Sequence, residues 1–158
     1  MKHDINLQKY FDYLATPLEM LDGQSICPFI SKFKDKIVTE RTNDILLRLK
    51  YYLENYPADK KIVILYNEHI TAQELDNFVQ SFEKYAATKD LWIAFDHPTC
   101  YNTINNIKTN NDYYGLMLIQ PLTELITKSK QILAETNYYS FWDNIYYKEI
   151  VEKRKNLK

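Results

Sequence analysis

Hydrophobic positions along the chain follow two spacings, one typical of helices and one typical of buried strands. Apolar residues recur every three or four positions in five segments, which predicts amphipathic helices. These helices cover about 5–20, a stretch capped by Thr42 or Asn43, a stretch after Thr71, a stretch from Pro121, and about 140–156. Continuous apolar runs predict strands at 62–66, 91–95 and 116–119. A further short strand is predicted at 36–40.

Several residues set the predicted ends of the helices. Pro17 lies inside the first helical pattern and should kink that helix or end it early. Pro57 closes the second helix. Thr71 and Glu74 have the spacing of a capping box, in which each side chain bonds the backbone of the other residue. The third helix should therefore begin at this pair.

Two of the strands run into proline. Pro98 follows Asp96 and His97, and Pro121 follows Gln120. Proline gives no hydrogen to a sheet and forces the residue before it into an extended conformation. Both strands should therefore stop there, which leaves His97 and Gln120 at sheet ends.

The order of these elements predicts the fold class. Strands that alternate with helices favour a single α/β (α+β) domain, with a mixed sheet of about four strands packed against helices. An N-terminal helix at 5–20, an α/β core at about 24–136 and a C-terminal helix at about 140–156 would make up this domain over 1–158. The strands on either side of the loop at 99–113 should be an antiparallel pair or neighbours.

Composition narrows the function classes. A net charge of −1 and a pI near 6.3 give no electrostatic reason to bind nucleic acid or an anionic membrane. The basic run Lys153–Lys155 is interpreted as a solvated helix end. The apolar runs are too short to span a membrane, and two cysteines do not make a disulfide framework. A cytoplasmic bacterial-type protein is the resulting expectation, with a homo-oligomer left open.

Common catalytic signatures are absent from the sequence. Two glycines in total leave no glycine-rich phosphate loop, and there is no zinc or serine-hydrolase motif. His97 is the main candidate, because a histidine can ligate iron or transfer protons near neutral pH. Cys27 and Cys100 are the available thiols. Each of these residues also has a purely structural interpretation.

Fourteen tyrosines are unusual in a chain of this length. Aromatic residues flank the loop and the last helices, where they could line a flat apolar cofactor or form part of the core. These residues are Tyr101, Tyr113, Tyr114, Tyr138, Tyr139, Phe141 and Trp142.

Three short motifs carry a resemblance over roughly 24–130. They are Cys27-Pro28-Phe29, His97-Pro98 and Met117-Leu118-Ile119-Gln120-Pro121. In this order they resemble the YqcI/YcgG-like haem-dependent oxygenase group and related small bacterial domains with Cys-Pro-Phe and His-Pro motifs. The loop after His97-Pro98 departs from that group, since it is rich in Asn. Leu122 stands where the group has an Arg.

The resemblance implies a haem-binding oxidoreductase or monooxygenase of biosynthesis, which would oxidise or N-hydroxylate a small amine-bearing metabolite with an electron donor. It implies that His97 is the axial iron ligand, that Cys27 and Gln120 take part in catalysis, and that other residues contact the cofactor. Those residues are Cys100, Tyr101, Tyr114 and Trp142. Two alternatives remain open: a thiol enzyme with Cys27 as nucleophile and His97 as base, and a non-enzymatic binding or accessory module whose partner surface is the tyrosine-rich C-terminal region.

Overall fold

A mixed four-stranded sheet forms the centre of the molecule in the computed structural model, which describes residues 3–158. The α-helices are α1 (Ile5–Ala15), α2 (Pro28–Lys32), α3 (Ile45–Glu54), α4 (Ala72–Thr88), α5 (Leu122–Glu135), α6 (Asn144–Tyr147) and α7 (Lys153–Leu157). The strands are β1 (Pro17–Leu18), β2 (Gln24–Ser25), β3 (Ile37–Arg41), β4 (Ile62–Asn67), β5 (Leu91–Asp96), β6 (Thr103–Ile104), β7 (Ile107–Lys108) and β8 (Gly115–Pro121).

The central sheet has the strand order β3-β4-β8-β5. Strand β4 pairs with β3 in parallel, whereas β8 pairs antiparallel with both β4 and β5. The predicted α/β class and the mixed sheet of four strands are therefore confirmed. The expectation for the last two strands also holds, because β5 and β8 are antiparallel neighbours.

The two faces of the sheet are covered by different elements. Successive side chains of a strand point to opposite faces. On β4, Val63 and Leu65 pack with residues of α3 and α4, whereas Ile62 and Ile64 pack with α1 and the C-terminal segment, residues 138–158. On β8, the odd positions Met117 and Ile119 likewise pack on the side of α3 and α4, and the even positions pack on the side of α1. The face toward α1 is the one that carries the candidate site.

The predicted N-terminal helix ends earlier than residue 20. Helix α1 stops at Ala15, and Thr16 is already extended, as expected for a residue that precedes proline. Pro17 then begins the short strand β1, which pairs with β2. The capping box at Thr71 is present as predicted, with Thr71 accepting from the Glu74 amide at 3.1 Å.

The C-terminal segment also differs from the single helix predicted at 140–156. A 3-10 turn covers Tyr138–Phe141, and the helix proper begins at Asn144 after the cap residue Asp143. Between α6 and α7 the helix widens into a π-helical stretch over Lys148–Glu152. Stretches of this kind are rare and concentrate at functional sites.

Strand β8 continues further than predicted. Gln120 pairs with Trp92 and Pro121 with Leu91, so Gln120 lies within the sheet rather than at its end. Pro121 is tolerated because it is the last residue of the strand and the cap of α5. On β5 the expectation is correct, since the strand ends at Asp96, directly before His97.

The Asn-rich loop contains a small hairpin of β6 and β7. Asn105 and Asn106 form its two-residue turn with φ angles of 49° and 64°. Two positive φ values define the turn that best matches the twist of paired strands, and asparagine tolerates that conformation. Across residues 3–158, no helix combines the length and apolar character that crossing a membrane requires.

Candidate ligand cavity

A cavity of about 240 Å³ lies between the sheet and the segments that cover its first face. Its floor is formed by alternate residues of β5 and β8, among them Trp92, Ala94, Leu118 and Gln120. Helix α1 and the turn before α2 close one side, and the C-terminal segment closes the other. The cavity is larger than the cavity of about 150 Å³ that is known to hold benzene in a protein core.

The wall of this cavity is mostly apolar and aromatic. Tyr138, Tyr139, Trp142 and Tyr146 contribute rings from the C-terminal segment. Trp142 stacks on Tyr146 with ring centroids 4.7 Å apart, and Tyr139 meets the edge of Trp142 at 5.1 Å. This packing gives the wall a defined shape, which a specific apolar ligand requires.

Among the described residues that line the cavity, two have charged side chains, Asp96 at the end of β5 and Arg154 in α7. Among the described residues, no ion pair within 4 Å joins them to each other or Arg154 to any other carboxylate. The cavity therefore has two separate charged positions in a mostly apolar wall.

Arg154 is buried, with 7% of its surface exposed. Its guanidinium lies 4.1 Å over the Trp92 ring, and Nη1 donates to Ser129 Oγ at 3.4 Å, a long hydrogen bond. Nε has no partner within the part of the chain that the structure describes. Burying an ion destabilises the folded state by several kcal/mol. A desolvated cation–π contact stabilises it by about 2 kcal/mol. The internal contacts of Arg154 therefore offset only part of its burial.

Trp142 presents a second buried donor. Its Nε1 is buried, and the hydroxyl of Tyr138 is close enough to act as its acceptor. The neighbouring hydroxyls do have acceptors, because Tyr10 donates to the Thr109 carbonyl and Tyr138 donates to the Ile26 carbonyl. Tyr139 likewise bonds Ser129, at 3.1 Å. Within the part of the chain that the structure describes, Arg154 Nε is thus the donor of this wall that remains without an acceptor.

Asp96 is fixed in place by the loop that follows it. Its Oδ2 accepts from the Asn111 amide at 2.8 Å and from the Asn111 side chain at 2.7 Å. Burial nevertheless raises the pKa of Asp96 above its usual value, and the bonds from Asn111 offset this only in part.

Cys27 and Gln120, the predicted catalytic residues, both line the cavity. Burial raises the pKa of the Cys27 thiol, although Arg154 acts weakly in the opposite direction. A raised pKa keeps the thiol protonated at neutral pH, which makes it a poor nucleophile. Gln120 is buried in the floor beside Leu118.

His97 does not line the cavity, and both of its ring nitrogens are bonded. The Thr99 amide donates to Nδ1 at 3.1 Å, so the ring proton is on Nε2 and is donated to the Ile70 carbonyl at 2.9 Å. His97 therefore links the end of β5 to Ile70, two residues before the start of α4. No hydrogen bond joins it to Cys27, so the pair that a thiol enzyme would need is not formed among the described residues.

The other predicted cofactor contacts divide between the cavity and the rest of the molecule. Trp142 lines the cavity, whereas Cys100, Tyr101 and Tyr114 do not. Tyr101 is 81% exposed, and Tyr114 is buried against Tyr66, with its hydroxyl donating to Asp4 at 3.1 Å. The structure thus brings together Cys27, Gln120 and Trp142 but not the histidine.

Sequence reasoning missed Arg154, which it assigned to a solvated basic tail. That assignment is wrong for Arg154, although its neighbours Lys153 and Lys155 are exposed. A signal for burial was present, because Tyr146, Ile150 and Arg154 are spaced four residues apart and fall on one helix face.

Comparisons with known proteins give one distant likeness. Neither a protein-family model nor a solved structure matches the chain. Among curated proteins, it is similar to vacuolar protein sorting-associated protein 45 of Dictyostelium discoideum, with 27% identity over 124 residues. The match covers 72% of this chain but 20% of the relative, so the chain spans about a fifth of that protein's length.

The prediction of a metal-binding oxidoreductase or monooxygenase is wrong. The curated relative is named for vacuolar protein sorting and not for an oxidation. In residues 3–158, no group of three or more His, Cys, Asp or Glu side chains is placed to hold a metal ion. The resemblance to the YqcI/YcgG-like group and the binding of haem are tested by neither finding and stay predictions.

Proposed function

We propose that this chain is a binding module that holds one compact, mostly apolar small molecule in the cavity between its sheet and its C-terminal segment. The observation that carries the proposal is the cavity itself, about 240 Å³ of space with an aromatic wall and few polar groups. Well-formed apolar pockets with a few convergent polar groups are the usual location of ligand sites.

The chemistry of the wall favours binding over catalysis. A nucleophile needs a nearby base, but the histidine predicted for that role is bonded to Ile70 and Thr99. The raised pKa of Cys27 also disfavours its thiolate. The cavity volume indicates a ligand below the size of those that fill pockets of about 300–1,000 Å³, which makes a porphyrin a poor fit.

Intrinsic fluorescence offers a direct test. The two tryptophans of the chain, Trp92 and Trp142, both line the cavity. Titration with linear alcohols of increasing length should change their emission in a saturable way. Affinity should rise about fourfold with each added methylene, because burying one methylene contributes about 0.8 kcal/mol to the binding free energy. It should then fall once the chain outgrows the cavity.

The size limit separates the cavity from nonspecific adsorption. Alcohols that only coat the surface would bind more tightly with every added methylene and would not saturate. That result, or unchanged emission throughout the series, would rule out a ligand site in this cavity.

A second candidate follows from the curated relative. Its name associates it with vacuolar protein sorting, so we also propose that this chain is a module of a protein-sorting factor. A chimera that carries this chain in place of the similar segment of the Dictyostelium protein should still deliver vacuolar proteins, while deletion of that segment should not. Failure of the chimera to exceed the deletion would contradict this candidate.

A further inference from the structure

We infer that the ligand of the cavity carries a single anionic head group, such as a carboxylate, which pairs with the guanidinium of Arg154. This inference rests on the proposed function, because it assigns the chemistry of a ligand in the same cavity. It adds a charge, and the place where that charge binds, to the mostly apolar ligand already proposed.

The first argument is the missing counter-ion of Arg154. A guanidinium stays protonated in proteins, so the buried side chain is a cation. None of the described carboxylates lies within 4 Å of it. The titratable groups near it are Cys27 and the hydroxyls of Tyr138, Tyr139 and Tyr146. Burial raises the pKa of each of these groups, so they are neutral at pH 7.

The second argument is the hydrogen-bonding capacity that Arg154 has left. Its side chain lines the cavity, its bond to Ser129 is long, and Nε has no acceptor within residues 3–158. Buried donors without partners are rare because each one is costly. A carboxylate suits a guanidinium because it can accept two parallel hydrogen bonds from it.

The carboxylate of Asp96 limits the number of negative groups that the ligand can carry. Asp96 lines the same cavity with its Oδ2 already bonded to Asn111. A second negative group on the ligand would approach this carboxylate in an apolar environment, where like charges repel strongly. The site therefore suits a small acid with one anionic end and an apolar body.

Two matched probes test the head group, namely 1-hexanol and hexanoate at pH 7, followed by tryptophan emission. Wild-type protein should bind hexanoate roughly tenfold to hundredfold more tightly than the alcohol, since the carboxylate gains a charge-assisted bond. In Arg154→Met the preference should reverse, because the carboxylate then enters an apolar cavity without a partner. Lys155→Met, an exposed neighbour, should behave as wild type.

The outcomes separate this inference from the proposed function. If the alcohol binds and saturates but hexanoate binds no better, the cavity is a ligand site and the anionic head group is wrong. If neither probe binds, the proposed function fails as well.

Thermal unfolding of Arg154→Met without ligand provides a second measurement. Replacing an unpaired buried charge by an apolar side chain should leave the melting temperature unchanged or raise it. Hexanoate should raise the melting temperature of wild type but not of the variant. A large fall in the melting temperature of the unliganded variant would show that the fold itself requires this charge, which would overturn the inference.

Discussion

Replacing Ala94 by phenylalanine is expected to remove binding of 1-hexanol, with a loss of at least about hundredfold in affinity. Ala94 lies on β5 in the floor of the cavity, two residues from both Trp92 and Asp96. A benzyl group at this position would occupy the space that the ligand needs. The ligand would then lose the burial of its apolar chain, which is the main source of its affinity.

The control for this change is Ala134→Phe, which adds the same group at an exposed position of α5. This variant should bind 1-hexanol as tightly as wild type does. Circular dichroism and urea unfolding of both variants would establish that each is folded. Undiminished binding in folded Ala94→Phe would place the alcohol somewhere other than this cavity.

Truncating Leu65 to alanine is expected to lower the free energy of unfolding by about 2–5 kcal/mol. Leu65 is fully buried in β4 and packs in the cluster on the side of α3 and α4, away from the cavity. The truncation removes buried methyl groups and leaves a void that the surrounding residues fill only partly. Urea denaturation monitored by circular dichroism would measure the change.

Leu47→Ala is the matched control, because Leu47 is in α3 but 60% exposed. It should change the free energy of unfolding by no more than about 0.5 kcal/mol. Because Leu65 points away from the cavity, Leu65→Ala protein that remains folded should bind 1-hexanol with wild-type affinity. Equal stabilities for the two alanine variants would contradict the assignment of Leu65 to the core.

The fold class could be predicted because its evidence is local. The continuous apolar run of β4 and the capping box at Thr71 depend on neighbours in the sequence, and both are present in the structure. The ends of α1 and the C-terminal helix were less predictable. At Pro17, a proline allowed either a kink or a stop, and only the pairing of β1 with β2 determines which of them occurs.

The site could be predicted only in part, because its residues come from distant parts of the chain. Cys27 and Trp142 were recognised as chemically useful, but no local pattern shows that they face one cavity with Arg154. His97 was predicted to be a site residue, but it lies outside the cavity. Its position after a strand suggested a ligand, while its actual partner is the carbonyl of Ile70, which no side-chain pattern reveals.

The central claim is that the cavity holds one apolar ligand, and isothermal titration of wild-type protein with 1-hexanol at several temperatures tests it most directly. Burial of an apolar chain in the cavity predicts a stoichiometry of one and a binding enthalpy that becomes more negative as temperature rises, which is a negative heat-capacity change. Heats that never saturate, or saturable binding without a heat-capacity change, would contradict the claim.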